Sequence, residues 1–278
     1  MNGFPRITRV PALSLRLLGE FRLLQDGAPV TGLDGARLQS LLAYLVLHSD
    51  VPQSRTRVAF LLWPDSTEAQ AHTNLRKLIY LLRNVLLDAN HYLMVERHTL
   101  LWRGSGFCAI DVQEYKAALA RAEQAERRMD GHATRIALEE AISLYSGDLL
   151  PGCYDEWVLA EREYLSQMYL GALERLLCLW EEAGNYAAAI AIGQRLLRED
   201  PLQEASYCHL IRLYTASGNH AAAARTYQNC VRTLERELAV EPSQATRLAL
   251  RGQEPGNLLW NYMVIKGAGS SSETLYVG

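Results

Sequence analysis

The sequence predicts a mainly α-helical protein with two domains: an α+β domain in residues 1–107 and an all-α domain in residues 108–250. Three observations support this fold class. The chain has 278 residues, and two domains of about 100–200 residues each fit that length. Leu and Ala dominate the apolar residues, which favours helices. Strand-like segments occur in the first part, whereas a helical pattern repeats in the second.

A small antiparallel sheet and a helix open the first domain. Residues 13–24 are rich in Leu and are followed by Asp26-Gly27, after which the chain becomes extended again. An aspartate-glycine pair between extended segments is typical of a hairpin turn. A first helix is expected from Asp34 to His48, because its leucines fall on one face.

Two more helices and a hairpin complete this domain. Ser54 is a favourable N-cap for a second, short helix, and a Trp-Pro-Asp-Ser loop follows it, since proline disfavours helical geometry in the preceding residue. A third helix is expected over residues 67–87. Two alternating strands then surround the turn Glu96-Arg97-His98. The order of sheet, three helices and hairpin predicts a winged helix-turn-helix domain.

The third helix has a polar face opposite its apolar stripe. Thr, Asn, Gln, Lys and Arg dominate this face, and such side chains hydrogen-bond to base edges and phosphates. No acidic residue lies between Glu68 and Asp88, although a merely solvated face usually mixes both signs. The pattern favours duplex DNA as the ligand. The residues on this face and its flank are Gln70, Thr73, Arg76, Lys77, Tyr80, Arg83 and Asn84.

Charge is distributed unevenly along the chain. Residues 1–107 hold 12 Lys and Arg against 8 Asp and Glu, whereas residues 108–278 hold 16 against 23. This asymmetry indicates that the first domain meets a polyanion. Arg55 and Arg57, at the start of the second helix, are candidate phosphate contacts, with ordinary surface charge as the alternative.

The second domain is helical and repetitive. Asp111 is expected to cap its first helix. The segments AGNY at 183–186 and SGNH at 217–220 lie 34 residues apart, and an alanine-rich helix follows each. This period is typical of tetratricopeptide-like helical hairpins, in which Ala allows close helix approach and Gly permits positive φ at the turn. Residues 251–278 are predicted to form a mostly disordered tail.

Several function classes lack support in the sequence. Five scattered cysteines without a C-x-x-C pair argue against a disulfide framework or a zinc site. The segment 104–109 fits a loose dinucleotide-binding pattern, but no βαβ unit surrounds it. No signal peptide is visible, and no run approaches the roughly 18 apolar residues of a membrane span. We therefore expect a cytoplasmic protein without membrane contact, catalytic residues, metal or cofactor, which is not an enzyme.

Specific segments in both halves resemble one family. In the first half these are LLAYLVLH, LLWPDS and TNLRKLIYLLRNVL; in the second they include YSGDLLPGCYDEWVLAERE, EEAGNYAAAI and LERELAVEPS. Over residues 13–248 the chain resembles Streptomyces antibiotic regulatory protein (SARP)-type transcriptional activators, which join a response-regulator-like winged helix to a bacterial transcriptional activator domain. Many relatives in the wider group continue into an ATPase module, whereas this chain has no Walker A motif.

The resemblance implies a function and a set of contact residues. A SARP-type activator binds promoter-proximal repeats in double-stranded DNA through its third helix, places its wing beside it and helps recruit RNA polymerase. Here that implies DNA contacts from the third helix, with Arg97 and His98 on the wing. Carried over by position, the helix contacts are Thr73, Arg76, Lys77, Tyr80 and Asn84, with Arg83 on the flank. The candidate polymerase contacts are Trp63, Pro64, Asp65 and Ser66.

Two alternatives stay open at this point. The chain could be a protein-interaction adaptor that works through its helical repeats and has weak or lost DNA binding, as the modest charge of its first domain permits. A combined role is the other alternative, in which the repeats form a homodimer or sense a ligand that the sequence does not identify.

Overall fold

The computed structural model describes residues 12–103 and 108–252. The chain forms two compact units, Met1–Ala172 and Leu173–Gly278. The predicted domain boundary at residue 107 stays a prediction. The predicted tail lies outside the described residues, apart from its first two. The elements of the first unit are β1 (Leu13–Arg16), β2 (Arg22–Gln25), β3 (Ala28–Pro29), α1 (Ala36–Leu47), β4 (Gln53–Ser54), α2 (Arg55–Leu62), α3 (Glu68–Val85), β5 (Leu93–Val95), β6 (Thr99–Trp102), β7 (Cys108–Ile110), α4 (Asp111–Arg127), α5 (Gly131–Leu144) and the first part of α6 (Glu156–Glu182).

The N-terminal sheet has the strand order β3-β2-β1-β7. The predicted antiparallel hairpin is present, with Leu13 opposite Gln25. An unpredicted strand, β7, pairs with β1 in parallel and sets Leu15 opposite Ile110. Leu13 and Leu15 are buried by this sheet, so both partners of β1 contribute to the core of the unit.

The three helices and the hairpin form the predicted winged helix-turn-helix. Helix α1 begins after Gly35 rather than at Asp34. Ser54 caps α2, as predicted, by accepting a hydrogen bond from the backbone N–H of Arg57. Strands β5 and β6 form the antiparallel wing, and β4 pairs with the outer side of β6 as a third strand that the sequence did not predict.

Asp111 has a different role from the cap that the sequence predicted. It is the first residue of α4 and follows the extended residue Ile110. Its Oδ2 accepts hydrogen bonds from the backbone N–H groups of Leu17 and Leu18, at 2.8 and 2.9 Å. Its Oδ1 accepts a bond from Val112 N–H at 2.8 Å. The carboxylate therefore joins the end of β1 to the start of α4.

The segment after α5 also returns to the N-terminal sheet. Leu150 N–H donates to the carbonyl of Leu17, and Gly19 N–H donates to the carbonyl of Asp148, both at 2.9 Å. Gly19 has φ of +81°, and a Cβ there would lie 2.9 Å from the Ser146 carbonyl oxygen. Only glycine fits this close crossing of two backbones without a shift.

Helix α1 is held by the residues that begin α6. Asp155 accepts a 2.7 Å hydrogen bond from the Ser40 hydroxyl and forms an ion pair with Arg37. Trp157 donates to the Ser40 oxygen at 3.3 Å and packs edge-on against Tyr44, with ring centroids 5.3 Å apart. The winged helix and the start of the helical region thus share one core within the first unit.

The second unit contains the predicted helical hairpins. Asn185 and Asn219, one in each repeat, cap the helices that follow them: their side chains accept hydrogen bonds from the backbone N–H groups of Ala188 and Ala222, three residues further on. The preceding Gly184 and Gly218 have φ of +69° and +76°, as the repeat predicted. The helices of this unit are the end of α6, α7 (Tyr186–Glu199), α8 (Glu204–Ala216), α9 (His220–Leu238) and α10 (Gln244–Leu250).

Helix α10 is a short addition to the repeats that the sequence did not predict. Glu204 at the start of α8 accepts hydrogen bonds from Ser243 N–H at 2.7 Å and from the Thr246 hydroxyl at 2.6 Å. Ala249 packs with Ile211 and Ala223 in a buried cluster. The carboxylate and the apolar contact together hold α10 against the second repeat.

Candidate nucleic-acid interface

Helix α3 divides cleanly into a buried and an exposed face. Thr67 caps it by accepting a hydrogen bond from Gln70 N–H, and Glu68 in the first turn suits the helix dipole. The stripe that anchors the helix consists of Ala71, Leu75, Ile79 and Leu82. With the core side fixed by these residues, the opposite side faces solvent over the whole length of the helix.

The sequence-predicted contact residues of α3 lie together on this solvent side. Tyr80 is 67 % exposed although it is a large aromatic residue, so the core does not use it. Thr73 is half-buried, and its hydroxyl donates to the Ala69 carbonyl at 2.8 Å. The remaining members are exposed: Arg76, Lys77, Arg83 and Asn84. The structure therefore brings all six side chains to one face.

These side chains differ in whether they form hydrogen bonds with other described residues of the protein. Arg76 Nε donates to the carbonyl of His72 at 3.2 Å, and Arg83 donates to the side-chain oxygen of Asn90 at 2.5 Å. Within residues 12–103 and 108–252, Lys77 and Asn84 make no side-chain hydrogen bond or ion pair. An ammonium and an amide are thus left available at the centre of the face.

A groove of about 640 Å³ runs beside the C-terminal half of α3. It is open to solvent and lined by both cationic and amide side chains. Its lining residues are Arg76, Ile79, Tyr80, Arg83, Asn84, Leu86, Asp88, Ala89 and Asn90. Asn90 was not singled out from the sequence, because its part depends on the turn that follows α3.

The wing carries its two predicted contact residues at its turn. Arg97 and His98 are exposed between β5 and β6. Arg57, in the first turn of α2, is also exposed. Arg55 is half-buried, and its guanidinium donates to the Glu96 carbonyl at 3.1 Å. The structure therefore separates two arginines that the sequence had grouped as phosphate contacts.

The loop between α2 and α3 contains the candidate polymerase contacts. Pro64 and Asp65 are exposed, whereas Trp63 and Ser66 are half-buried. Trp63 N–H donates to the Ala59 carbonyl at 3.0 Å and ends α2, and Ser66 N–H donates to the Trp63 carbonyl at 3.3 Å. The loop is therefore a tight turn with its tip in solvent.

One residue near the exposed face was not identified from the sequence. His72 Nε2 lies 3.7 Å from a carboxylate oxygen of Glu68 and 3.4 Å from the Thr56 hydroxyl on α2. His72 thus links the first turns of α2 and α3. A histidine four residues after a glutamate on a helix was the available signal.

The cysteines lack the features of nucleophiles. All five are free thiols, of which Cys153 and Cys230 are buried and the others half-buried. Burial raises the pKa of the Cys108 and Cys230 thiols to about 12. Burial, with nearby carboxylates adding to it, raises the pKa of Cys178 to about 11. These groups are protonated at neutral pH, and a thiol is a weak nucleophile.

The described part of the chain offers neither a metal-binding cluster nor a helix that could span a membrane. Over residues 12–103 and 108–252, no group of three or more His, Cys, Asp or Glu side chains could hold a metal ion. In the same ranges no helix is long and apolar enough to cross a bilayer.

The geometry defines the class of protein: a winged helix with an exposed basic helix, joined to tetratricopeptide-like repeats. Residues 110–251 match the bacterial transcriptional activator domain. This match covers half of the chain, so the chain belongs to that family of transcription regulators. It also confirms the resemblance of the second half to the helical domain of SARP-type activators.

Relatives with known names agree with this assignment. The chain is 28 % identical over 232 residues to the regulatory protein AfsR of Streptomyces coelicolor, covering 83 % of this chain and 23 % of AfsR. It is 25 % identical over 243 residues to AfsR of Streptomyces griseus, with the same coverage of 83 % and 23 %. The chain thus spans about a quarter of the length of these relatives. Both alignments extend beyond the activator domain, which supports the SARP-type assignment.

A solved structure shares the fold. Mycobacterium tuberculosis EmbR, determined in complex with a low affinity phosphopeptide, superimposes with a TM-score of 0.74 at 21 % identity. The match covers 93 % of this chain and 70 % of EmbR. It confirms the predicted fold class, a winged helix followed by helical repeats.

Proposed function

We propose that this transcriptional activator binds promoter DNA in a sequence-specific manner through α3 and the wing. The observation that carries the proposal is the exposed face of α3. It bears three cationic side chains, two of them flanking and one central, and its only carboxylate lies in the first turn. A face of this composition matches the donors and acceptors of base edges and phosphates.

The dimensions of α3 suit the major groove. Residues 73 and 84 are the first and last of these side chains along the helix, and the eleven steps between them extend about 16 Å at 1.5 Å per residue. The major groove of B-DNA is about 12 Å wide and accepts one α-helix. Asn84 is suited to adenine and Arg76 to guanine, since an amide and a guanidinium form bidentate pairs with these bases. Tyr80, exposed between them, offers an apolar ring to a thymine methyl group.

Phosphate contacts are proposed for the exposed cationic side chains on and around this face. Lys77 and Arg83 on α3, Arg57 on α2 and Arg97 with His98 on the wing carry the exposed donors. Each phosphate contact contributes to affinity, and this contribution falls as salt rises. The logarithm of the binding constant falls with the logarithm of salt concentration by about 0.9 per contact. The modest charge of residues 1–107, with 12 basic against 8 acidic residues, predicts a few such contacts rather than ten.

We further propose that the loop Trp63–Ser66 contacts RNA polymerase. Its exposed tip, Pro64 and Asp65, lies at the N-terminal end of α3 and leaves the reading face free. A loop held by two backbone hydrogen bonds presents a defined surface. Reporter transcription by a Pro64→Ala, Asp65→Ala double variant tests this role: loss of activation with unchanged DNA affinity supports it, and full activation contradicts it.

Sites selected from random double-stranded DNA by the full chain provide the probe for the central experiment. Binding of the selected site is then measured over a salt series. We expect Lys77→Ala to lower the salt slope by about 0.9. We expect Asn84→Ala to cost about 1–3 kcal/mol on the selected site and to relax its sequence preference.

The matched control is Arg127→Ala on α4, because the Arg127 side chain is 80 % exposed and its one ion pair among the described residues is an i,i+4 pair. It should leave affinity and salt slope unchanged. If no site is selected, or if Lys77→Ala behaves like the control, α3 is not the recognition helix. The chain would then act as an adaptor through its repeats, and a homodimer formed by those repeats would be measured by sedimentation.

A further inference from the structure

The first residue of α2 makes two bonds to the wing turn. Arg55 N–H donates to the carbonyl of His98 at 2.9 Å. The Arg55 guanidinium donates to the carbonyl of Glu96 at 3.1 Å. These two carbonyls belong to the residues on either side of Arg97. One residue outside the hairpin therefore holds the backbone of the turn on both sides of the wing cation.

Glu96 and Thr99, on the two sides of the turn, also bond to each other. Glu96 N–H donates to the Thr99 carbonyl at 3.0 Å, and the Thr99 hydroxyl donates to the Glu96 carboxylate at 2.8 Å. Both contacts lie inside the hairpin, whose strands have three and four residues. A hairpin this short is marginal by itself. Strand β4 pairs with β6 only as far as Ser54 opposite Thr99, and the bonds from Arg55 extend this attachment to Glu96 and His98 in the turn.

The guanidinium of Arg55 is poorly placed to serve DNA directly. Arg55 is half-buried, whereas Arg57, two residues further along α2, is exposed. The guanidinium already gives one N–H to the Glu96 carbonyl, and this bond directs it toward the wing turn rather than toward solvent. Arg97 has both neighbours fixed and its own side chain in solvent.

We propose that Arg55 is a positioning residue of the wing, which raises DNA affinity by fixing the turn that presents Arg97. This inference rests on the proposed DNA-binding function. Fixing the turn before binding removes part of the entropy that would otherwise be lost when Arg97 meets the duplex. The sequence had suggested a direct phosphate contact for the same side chain, and the two roles make opposite predictions.

A double-mutant cycle on the full chain separates the two roles. The variants are Arg55→Ala, Arg97→Ala and the double variant, measured on the selected DNA site over a salt series. We expect Arg97→Ala to lower the salt slope by about 0.9. Arg55→Ala should weaken binding by roughly three- to tenfold, the usual effect of one lost hydrogen bond of ordinary net strength. In the Arg97→Ala background, Arg55→Ala should change neither affinity nor slope.

A second readout does not use DNA. Amide hydrogen exchange of Glu96, whose N–H donates to the Thr99 carbonyl, should become faster in Arg55→Ala. Arg55→Lys keeps one side-chain donor and should restore part of the protection. Arg57→Ala is the matched control, because Arg57 lies two residues away on the same helix and its side chain forms no bond within the described ranges. It should leave exchange in the wing unchanged.

The outcomes separate this inference from the proposed function. Additive effects of the two substitutions, with a further loss of about 0.9 in slope, would show that Arg55 contacts a phosphate itself and would overturn the positioning role. Unchanged amide exchange in Arg55→Ala would also overturn it. In both cases DNA binding that remains sensitive to Lys77→Ala leaves the proposed function standing. A wild-type chain that binds no selected DNA overturns both.

Discussion

Gly193 in the middle of α7 provides a test of how closely the repeat helices pack. A Cβ at this position would lie 2.8 Å from Leu210 Cδ2 and 2.9 Å from Leu210 Cγ on α8, and 3.3 Å from Leu177 Cδ1. Leu210 is only 2 % exposed, so its side chain would have to shift against other buried atoms. Overpacking of this kind costs about 1–3 kcal/mol. Replacing a helical Gly by Ala gains about 1 kcal/mol in helix propensity. We therefore expect Gly193→Ala to lower the free energy of unfolding by about 1 kcal/mol.

Gly171 in α6 is the matched control. It is also a helical glycine, but a Cβ there meets no atom within 4 Å. Gly171→Ala should therefore show the gain in helix propensity alone, up to about 1 kcal/mol. Urea denaturation followed by far-UV circular dichroism measures both variants, and hydrogen exchange within α6 and α7 locates each effect. If Gly193→Ala is as stable as Gly171→Ala, α7 and α8 are not in steric contact at this point and the reasoning fails.

Two further predictions concern half-buried carboxylates. Asp111→Ala should lower the free energy of unfolding by about 2–4 kcal/mol in denaturant titrations, because the N–H groups of Leu17 and Leu18, residues 0 % and 1 % exposed, lose their acceptor. Normal stability in this variant would mean that water or another group replaces the carboxylate. For Glu204, burial raises the pKa, but hydrogen bonds from Thr246 and Ser243 outweigh it and leave the pKa lowered. The folded state then binds the proton less tightly, so its stabilisation is complete above the ordinary glutamate pKa and is lost as pH falls through the lowered value. Exchange protection of α10 should fall in acid in the wild type and become independent of pH there in Glu204→Gln.

The sequence predicted the helices best where their periodicity was long. Helix α3 has 18 residues, and its buried stripe and exposed face follow from 3.6-residue spacing alone. The asparagine-capped repeats were found by their period. In both cases the signal lies within a continuous stretch of chain and does not depend on distant contacts.

The missed elements are short or depend on distant partners. Strand β4 has two residues and β7 has three, and β7 pairs with a strand about 95 residues earlier in the sequence. No local alternation can reveal strands of that length. Helix α10 has seven residues and depends on the carboxylate of Glu204 for its position.

The candidate site shows the same division. The solvent-facing side of α3 was predictable, because burial of one stripe fixes the other side. The position of Arg55 was not, because its bond to the Glu96 carbonyl joins residues 41 positions apart. A sequence shows that an arginine starts α2, but only the folded wing shows where its donors are used.

Two features of the first unit also bear on how such proteins can evolve. One is the pair of bonds from Asp111 to β1, and the other is the segment 146–155, which crosses Gly19 and holds α1. A crossover between genes that falls near codon 107 would separate β1 from β7 and from the carboxylate that receives two of its amides. A chimaera of that kind inherits a DNA-reading part from one parent and the residues that close its core from another. Exchange of binding specificity among relatives is therefore expected to proceed by substitutions on α3 and the wing, or by transfer of the whole segment up to α6.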